Sequence, residues 1–124
     1  MANAMTTHPV VWFEVLGKDG GRLQKYFAEL FGWNVKVDGP MKYGMVDTGG
    51  KDGIPGGVGA APPGSRSWVT FYVRTDDLEK TMTRAQDLGG RLVMPPTQLP
   101  DGPAIAVFED PEGHAIGLVK EEAT

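Results

Sequence analysis

The sequence has no cysteine among its 124 residues. That excludes disulfides, thiolate metal centres and thiol nucleophiles together, and it suits a reducing cytoplasm, where the protein is expected to reside. Histidine occurs only at His8 and His114, too far apart to suggest an imidazole pair. No Lys or Arg is followed directly by another, and the net charge is −4 with a pI of about 5.1. A nucleic-acid partner is therefore not expected, since no basic stripe is present to neutralise phosphates. No window approaches the roughly 18 apolar residues of a membrane span, and MANAMTTHPVV lacks a basic start followed by an apolar core, so neither a span nor a signal peptide is expected. Met5 is as admissible a native start as Met1. The P-loop pattern GxxxxGK[ST], the GxSxG elbow and a Ser/His/Asp set are all missing.

What is present fits one domain, expected over 9–120 with tails at 1–8 and 121–124. Eighteen Gly and ten Pro imply many turns and short strands. VVWFEVL (10–16) alternates as a strand, with Val11, Phe13 and Val15 on one face and Trp12 and Glu14 on the other. In GKDGGRLQKYFAELFGW, Asp19 suits an N-cap, and Leu23, Phe27 and Leu30, flanked by Tyr26, sit at helical spacing. Gly32 suits the left-handed stop. Strands are expected at 33–38 and 42–47, with a loosely packed glycine-rich one at 54–61. APPGSRS (61–67) reads as a linker. The pattern then restarts: SWVTFYV (67–73) as a strand, DDLEKTMTRAQDLGG as cap, helix and stop with Leu78, Met82, Ala85 and Leu88 as its stripe, and strands at 91–94, 104–109 and 114–120.

The restart is a repeat. A shift of 58 residues superimposes Val11 on Val69, Phe13 on Phe71, Val15 on Val73 and Asp19 on Asp77. It also superimposes Leu30 on Leu88, Gly32 on Gly90, Val35 on Val93 and, without a gap, Gly59 on Gly117. The expected fold is α+β: two βαβββ modules, about 9–61 and 67–120, forming a curved mixed β-sheet around a cleft with the helices outside. The Val11 and Val69 faces are expected to cover the helices. Trp12, Glu14, Thr70 and Tyr72 then face the cleft, the usual setting for a small-molecule site.

Several residues attract attention. Asp110, Glu112 and His114 in DPEGHAIGL resemble a metal cluster, but Asp-Pro-x-Gly is β-turn chemistry: Asp110 is expected to accept backbone N–H bonds and Glu112 to face solvent. Trp12 offers a flat wall for a ring or a cation, with ordinary packing or a dimer contact as the other readings. Glu14 can pair with a cationic ligand, act as a general base or bond a neighbouring side chain. Trp68, Thr70 and Tyr72 form the matching row, with Tyr72 a possible hydrogen-bond donor. Trp33, Tyr43 and Met45 are candidates for the cleft or for the core. GGKDGIPGG (49–57) is expected to form a flexible rim.

Strand 11–15 followed by KDGGRLQKYFAELFGW, and later TDDLEKTMTRAQDLGG and FEDPEGHAIGLV, resemble the vicinal oxygen chelate superfamily of glyoxalase I, extradiol dioxygenases, and fosfomycin- and bleomycin-resistance proteins. The resemblance covers about 9–120. It implies a divalent ion held by residues of the first and last strands of each repeat. Those positions fall here on Trp12, Gly59, Thr70 and Gly117, which supply no imidazole and no carboxylate. The resemblance thus implies the fold and a homodimer, while no metal and no cofactor is expected. The expected function is metal-independent binding of a small, partly aromatic or cationic molecule by Trp12, Glu14, Trp33, Tyr43, Met45, Trp68, Thr70 and Tyr72. The alternatives are a metal-free lyase, isomerase or oxygenase-like enzyme using Glu14 as base with Tyr72 as donor, and a structural or partner-binding module.

Overall fold

The β-forming run VVWFEVLG makes the first strand, β1 (Val10–Gly17), of a computed structural model that describes residues 7–100 and 102–120. Helix α1 (Gly20–Phe31) follows, then β2 (Asn34–Asp38), β3 (Tyr43–Asp47) and β4 (Gly56–Ala60). The series repeats as β5 (Trp68–Thr75), α2 (Leu78–Asp87), β6 (Arg91–Gln98), β7 (Ala104–Glu109) and β8 (Ala115–Lys120). The chain is α+β, built from two βαβββ modules. Its described residues divide into two compact units, one of residues 11–70, the other of 7–10 together with 71–100 and 102–120.

In the first unit the strand order is β2-β3-β4-β1. β2, β3 and β4 pair antiparallel in turn, and β4 pairs parallel with β1, placing Phe13 beside Gly56 and Glu14 beside Gly57. Helix α1 makes that parallel connection possible, because parallel neighbours need a long crossover. Asp19 caps it by accepting the Arg22 N–H at 3.0 Å, and Gly32 ends it at φ 72. The second unit, which takes the part of β5 from Phe71 on, repeats the plan as β5-β8-β7-β6, with β5 running parallel to β8 from Tyr72 to Thr75. There Asp77 accepts the Lys80 N–H at 3.0 Å, as the repeat requires.

The two cores differ. In the second unit Leu78 and Met82 of α2 bury against Ala106 and Leu118, with Val73, Ala104 and Phe108 around them. Each large side chain buried in this way is worth about 1.5–3 kcal/mol. The first unit buries Val46 and Val58 fully, and adds an aromatic cluster in which Trp33 lies 5.3 Å from Phe13, 5.5 Å from Phe27 and 5.1 Å from Phe31 between ring centroids.

Several sequence expectations are corrected here. Leu30 and Leu88 are exposed rather than part of the helix stripes, because α1 turns Gly20 and Gln24 inward and Leu88 lies past the last turn of α2. Gln24 is buried because its amide donates to the carbonyls of Lys42 at 2.9 Å and Val58 at 2.7 Å, tying the helix to the sheet. Val69, 79 % exposed, and Phe71 are exposed rather than covered; α2 packs over β6, β7 and β8 and meets β5 at Val73 and through the Thr75 and Thr81 hydroxyls, 2.7 Å apart. The glycine-rich β4 is not loose: Gly56, Gly57, Val58 and Gly59 are all buried. Finally, β6 runs on through Pro95 and Pro96 to Gln98. It is an edge strand whose pairing with β7 shifts register twice, and such irregular edges accommodate proline.

Candidate functional site

Strand alternation puts Trp12 and Glu14 on the face of β1 opposite Phe13 and the aromatic cluster. On that face the side chains form a hydrogen-bonded chain. The Trp12 Nε1–H donates to the Tyr43 hydroxyl at 3.1 Å. The Tyr43 hydroxyl donates to Glu14 Oε2 at 2.7 Å, and the Trp68 Nε1–H donates to Glu14 Oε1 at 3.0 Å. Indole N–H groups only donate, so the direction of the chain is set: the Tyr43 oxygen accepts from Trp12 and its own proton goes to the carboxylate. Glu14 is only 7 % exposed, whereas Trp12, Tyr43 and Trp68 are half-buried. The result is a buried acidic centre walled by three partly accessible aromatic rings. Of the three readings of Glu14, bonding to neighbouring side chains is therefore realised, with Tyr43 and Trp68 among those neighbours.

The other candidates are placed as follows. Thr70 is buried and, two residues along β5, shares the side of Trp68. Met45 lies on the side of β3 that carries Tyr43 and is largely exposed. Trp33 does not join them; it packs with Phe13, Phe27 and Phe31 on the opposite face of β1, because it closes the end of α1. Tyr72 lies in the second unit, buried, with its ring over Gly117 of the paired strand β8.

The positions at which the resemblance places metal ligands can be tested by their surroundings. A Cβ at Gly117 would stand 2.5 Å from two carbons of the Tyr72 ring. The register also shows which glycine of the first unit matches it. Tyr72 faces Gly117, and its repeat mate Glu14 faces Gly57, not Gly59. The ungapped shift missed this because the second repeat is two residues longer between its first and last strands. Gly57 in turn lies under the Tyr43 ring. Trp12, Thr70 and the two glycines thus offer one hydroxyl and no imidazole or carboxylate. That donor set does not fit a divalent ion such as zinc, magnesium or calcium. Among the described residues no three His, Asp or Glu side chains converge elsewhere.

The DPEG segment behaves as a turn. Asp110 Oδ1 accepts the N–H groups of Glu112 and His114, each at 2.9 Å, and Oδ2 lies 3.0 Å from His114 Nδ1. These contacts, the His114 N–H first, hold the Asp110 carboxyl below its ordinary 3.8 against a weaker opposing effect of burial. Glu112 is exposed. A separate groove of about 630 Å³ opens where β1 meets α1, lined by Val15, Leu23, Tyr26 and Val69; it shares only Trp68 with the Glu14 cluster.

Sequence reasoning overlooked Gln24 and Gly57. A polar residue one turn after Gly20 on a helix packed against a strand is the signal for the first. The second becomes visible only when β1 and β4 are paired.

Residues 10–118 match the family model of the glyoxalase/bleomycin resistance protein/dioxygenase superfamily. The chain belongs to that superfamily. Among its relatives is CFP32 of Mycobacterium bovis, which carries a provisional glyoxylase designation; it is 27% identical over 116 residues, covering 86% of this chain and 43% of that protein. Another is the anthracycline biosynthesis protein DnrV of Streptomyces peucetius, 27% identical over 123 residues, covering 86% of this chain and 45% of that one. The chain thus spans less than half the length of the curated relatives it matches. The fold is shared with a Streptomyces coelicolor methylmalonyl-CoA epimerase solved with 2-nitronate-propionyl-CoA, at TM-score 0.63 and 16% identity, over 95% of this chain and 99% of that one. No helix among the described residues is long and apolar enough to cross a membrane.

Proposed function

We propose that this protein binds a small organic molecule, without a metal ion, on the face where Trp12, Tyr43 and Trp68 surround Glu14. The observation that carries the reading is the Trp12–Tyr43–Glu14–Trp68 chain of hydrogen bonds. It locks three aromatic side chains that keep part of their surface accessible, and rigid amphipathic rings are efficient binding surfaces because little entropy is lost on contact. The poor donor set at the family's metal positions supports metal independence. Met45 and Thr70 are further lining residues in this reading, and the protein acts as a cytoplasmic homodimer. A relative named for anthracycline biosynthesis is in keeping with an organic ligand of some size.

The test is a ligand screen read by tryptophan fluorescence, paired with metal analysis of the purified protein. A ligand found in this way should bind at least about tenfold more weakly to Trp12→Ala, since stacking on an aromatic side chain is worth on the order of 1–3 kcal/mol. Undiminished affinity in Trp12→Ala removes the site, and one tightly held divalent ion per chain removes the metal-free claim.

A second reading, a metal-free lyase or isomerase with Glu14 as general base, draws on the burial of that carboxylate and on the fold shared with an epimerase. Tyr43, rather than Tyr72, would then be the donor that orients the base. If a bound ligand is turned over, Glu14→Gln must slow the reaction at least about a hundredfold. Full turnover by that variant rules the enzyme reading out.

A further inference from the structure

The reach of Tyr43 to Glu14 poses a steric problem. Tyr43 stands on β3 and Glu14 on β1, with β4 between them. Two strand spacings separate the backbones, roughly 9.6 Å. The phenol can meet the carboxylate only by lying flat across the middle strand. The residue beneath it is Gly57, paired with Glu14 on one side and with Met45, two residues from Tyr43, on the other. A Cβ at Gly57 would overlap the hydroxyl, Cζ and Cε2 of Tyr43. Its neighbour on the same face, Gly59, is different: a Cβ there would stand 3.5 Å from Tyr43 Cδ1, an ordinary contact.

We infer that Gly57 is the positioning residue of this site: its missing side chain is what lets Tyr43 cross β4 and close over Glu14. The glycine is therefore not a generic feature of a flexible strand. It decides whether the face presents a phenol hydrogen-bonded to a carboxylate, flanked by Trp12, or a carboxylate without its tyrosine cover. Any side chain at 57 displaces the ring, breaks the Trp12–Tyr43 and Tyr43–Glu14 hydrogen bonds together, and changes what a ligand meets. Calling this a binding-site function rests on the reading proposed above; the steric claim does not.

The experiment needs no ligand, so its outcome is separable from that of the binding reading. The indole N–H resonances of the three tryptophans are assigned by NMR in the parent, Tyr43→Phe, Gly57→Ala and Gly59→Ala, and unfolding is followed in Gly57→Ala, Gly59→Ala, Tyr43→Ala and the Gly57→Ala/Tyr43→Ala pair. Gly57→Ala should move the Trp12 indole resonance in the direction Tyr43→Phe moves it, while Gly59→Ala leaves it in place. Gly57→Ala should also lower the folding equilibrium constant at least about tenfold more in the presence of the Tyr43 ring than in its absence, as contacting residues couple. An unmoved Trp12 resonance in Gly57→Ala, or an equal cost with and without the ring, overturns the inference. If Gly57→Ala alone fails to fold, a folded double variant supports it and an unfolded one overturns it.

Discussion

The Tyr43 hydroxyl donates to Glu14 Oε2 at 2.7 Å while accepting the Trp12 indole N–H at 3.1 Å, so one oxygen links the indole to the carboxylate. Tyr43→Phe keeps the ring over Gly57 but removes the hydroxyl from a nearly buried carboxylate. Hydrogen bonds to charged groups contribute about 1.5–3 kcal/mol, so denaturant unfolding should show a loss of that size. A change below about 0.5 kcal/mol would mean that water replaces the phenol freely.

Gln24 is the second polar anchor of the first unit. Its amide satisfies two backbone carbonyls, on Lys42 and Val58, that Gln24→Ala leaves behind. The expected cost is about 1–3 kcal/mol by chemical denaturation, as for other abandoned buried acceptors. Gln24→Glu should cost at least as much, because a carboxylate turns acceptor lone pairs toward both carbonyls.

The apolar stripe of α2 makes opposite predictions at two of its positions. Met82 is 3 % exposed within the second core, so Met82→Ala should lose about 2–5 kcal/mol. Leu88, which spacing alone assigns to the same stripe, is 62 % exposed, and Leu88→Ala should stay within about 0.5 kcal/mol of the parent. Equal effects at the two positions would contradict the placement of α2.

Asp110 gives a pH signature. Its folded-state carboxyl titrates below its unfolded value, chiefly through the His114 N–H. A depressed carboxylate contributes stability that is present above the ordinary value near 3.8 and is lost as pH falls through the lower folded one. Carbon-detected NMR titration should therefore place the Asp110 midpoint under 3.8. In Asp110→Asn the stability-versus-pH curve should flatten slightly on the acid side; a midpoint at or above the ordinary value contradicts the turn geometry.

Chelation tests the donor argument at the family's metal positions. Dialysis against a strong chelator should leave Tm within about 1 °C and the tryptophan spectrum unchanged, because metal removal destabilises a protein only when the metal binds its folded state. A drop in Tm that divalent ions reverse would show a site made by other residues.

Much of this was legible in the sequence. The strand alternation at 10–16, the Asp19 and Asp77 caps, the Gly32 stop and the repeat are local signals, set by residue-by-residue geometry over a few positions. Together with the family resemblance they determined the α+β class, the two βαβββ modules and the poverty of metal donors. The same signals put Trp12 and Glu14 on one face. What they did not carry was everything that depends on which strands become neighbours. The union of Trp12, Tyr43 and Glu14 and the choice of Gly57 over Gly59 are consequences of pairing β3 with β4 and β4 with β1, and the burial of Gln24 follows from the packing of α1 on that sheet. A strand's own residues specify which of its sides is apolar. Only the tertiary structure, by bringing distant strands to hydrogen-bonding distance in one register, decides which side chains share that side, and at Gly57 it requires that there be none.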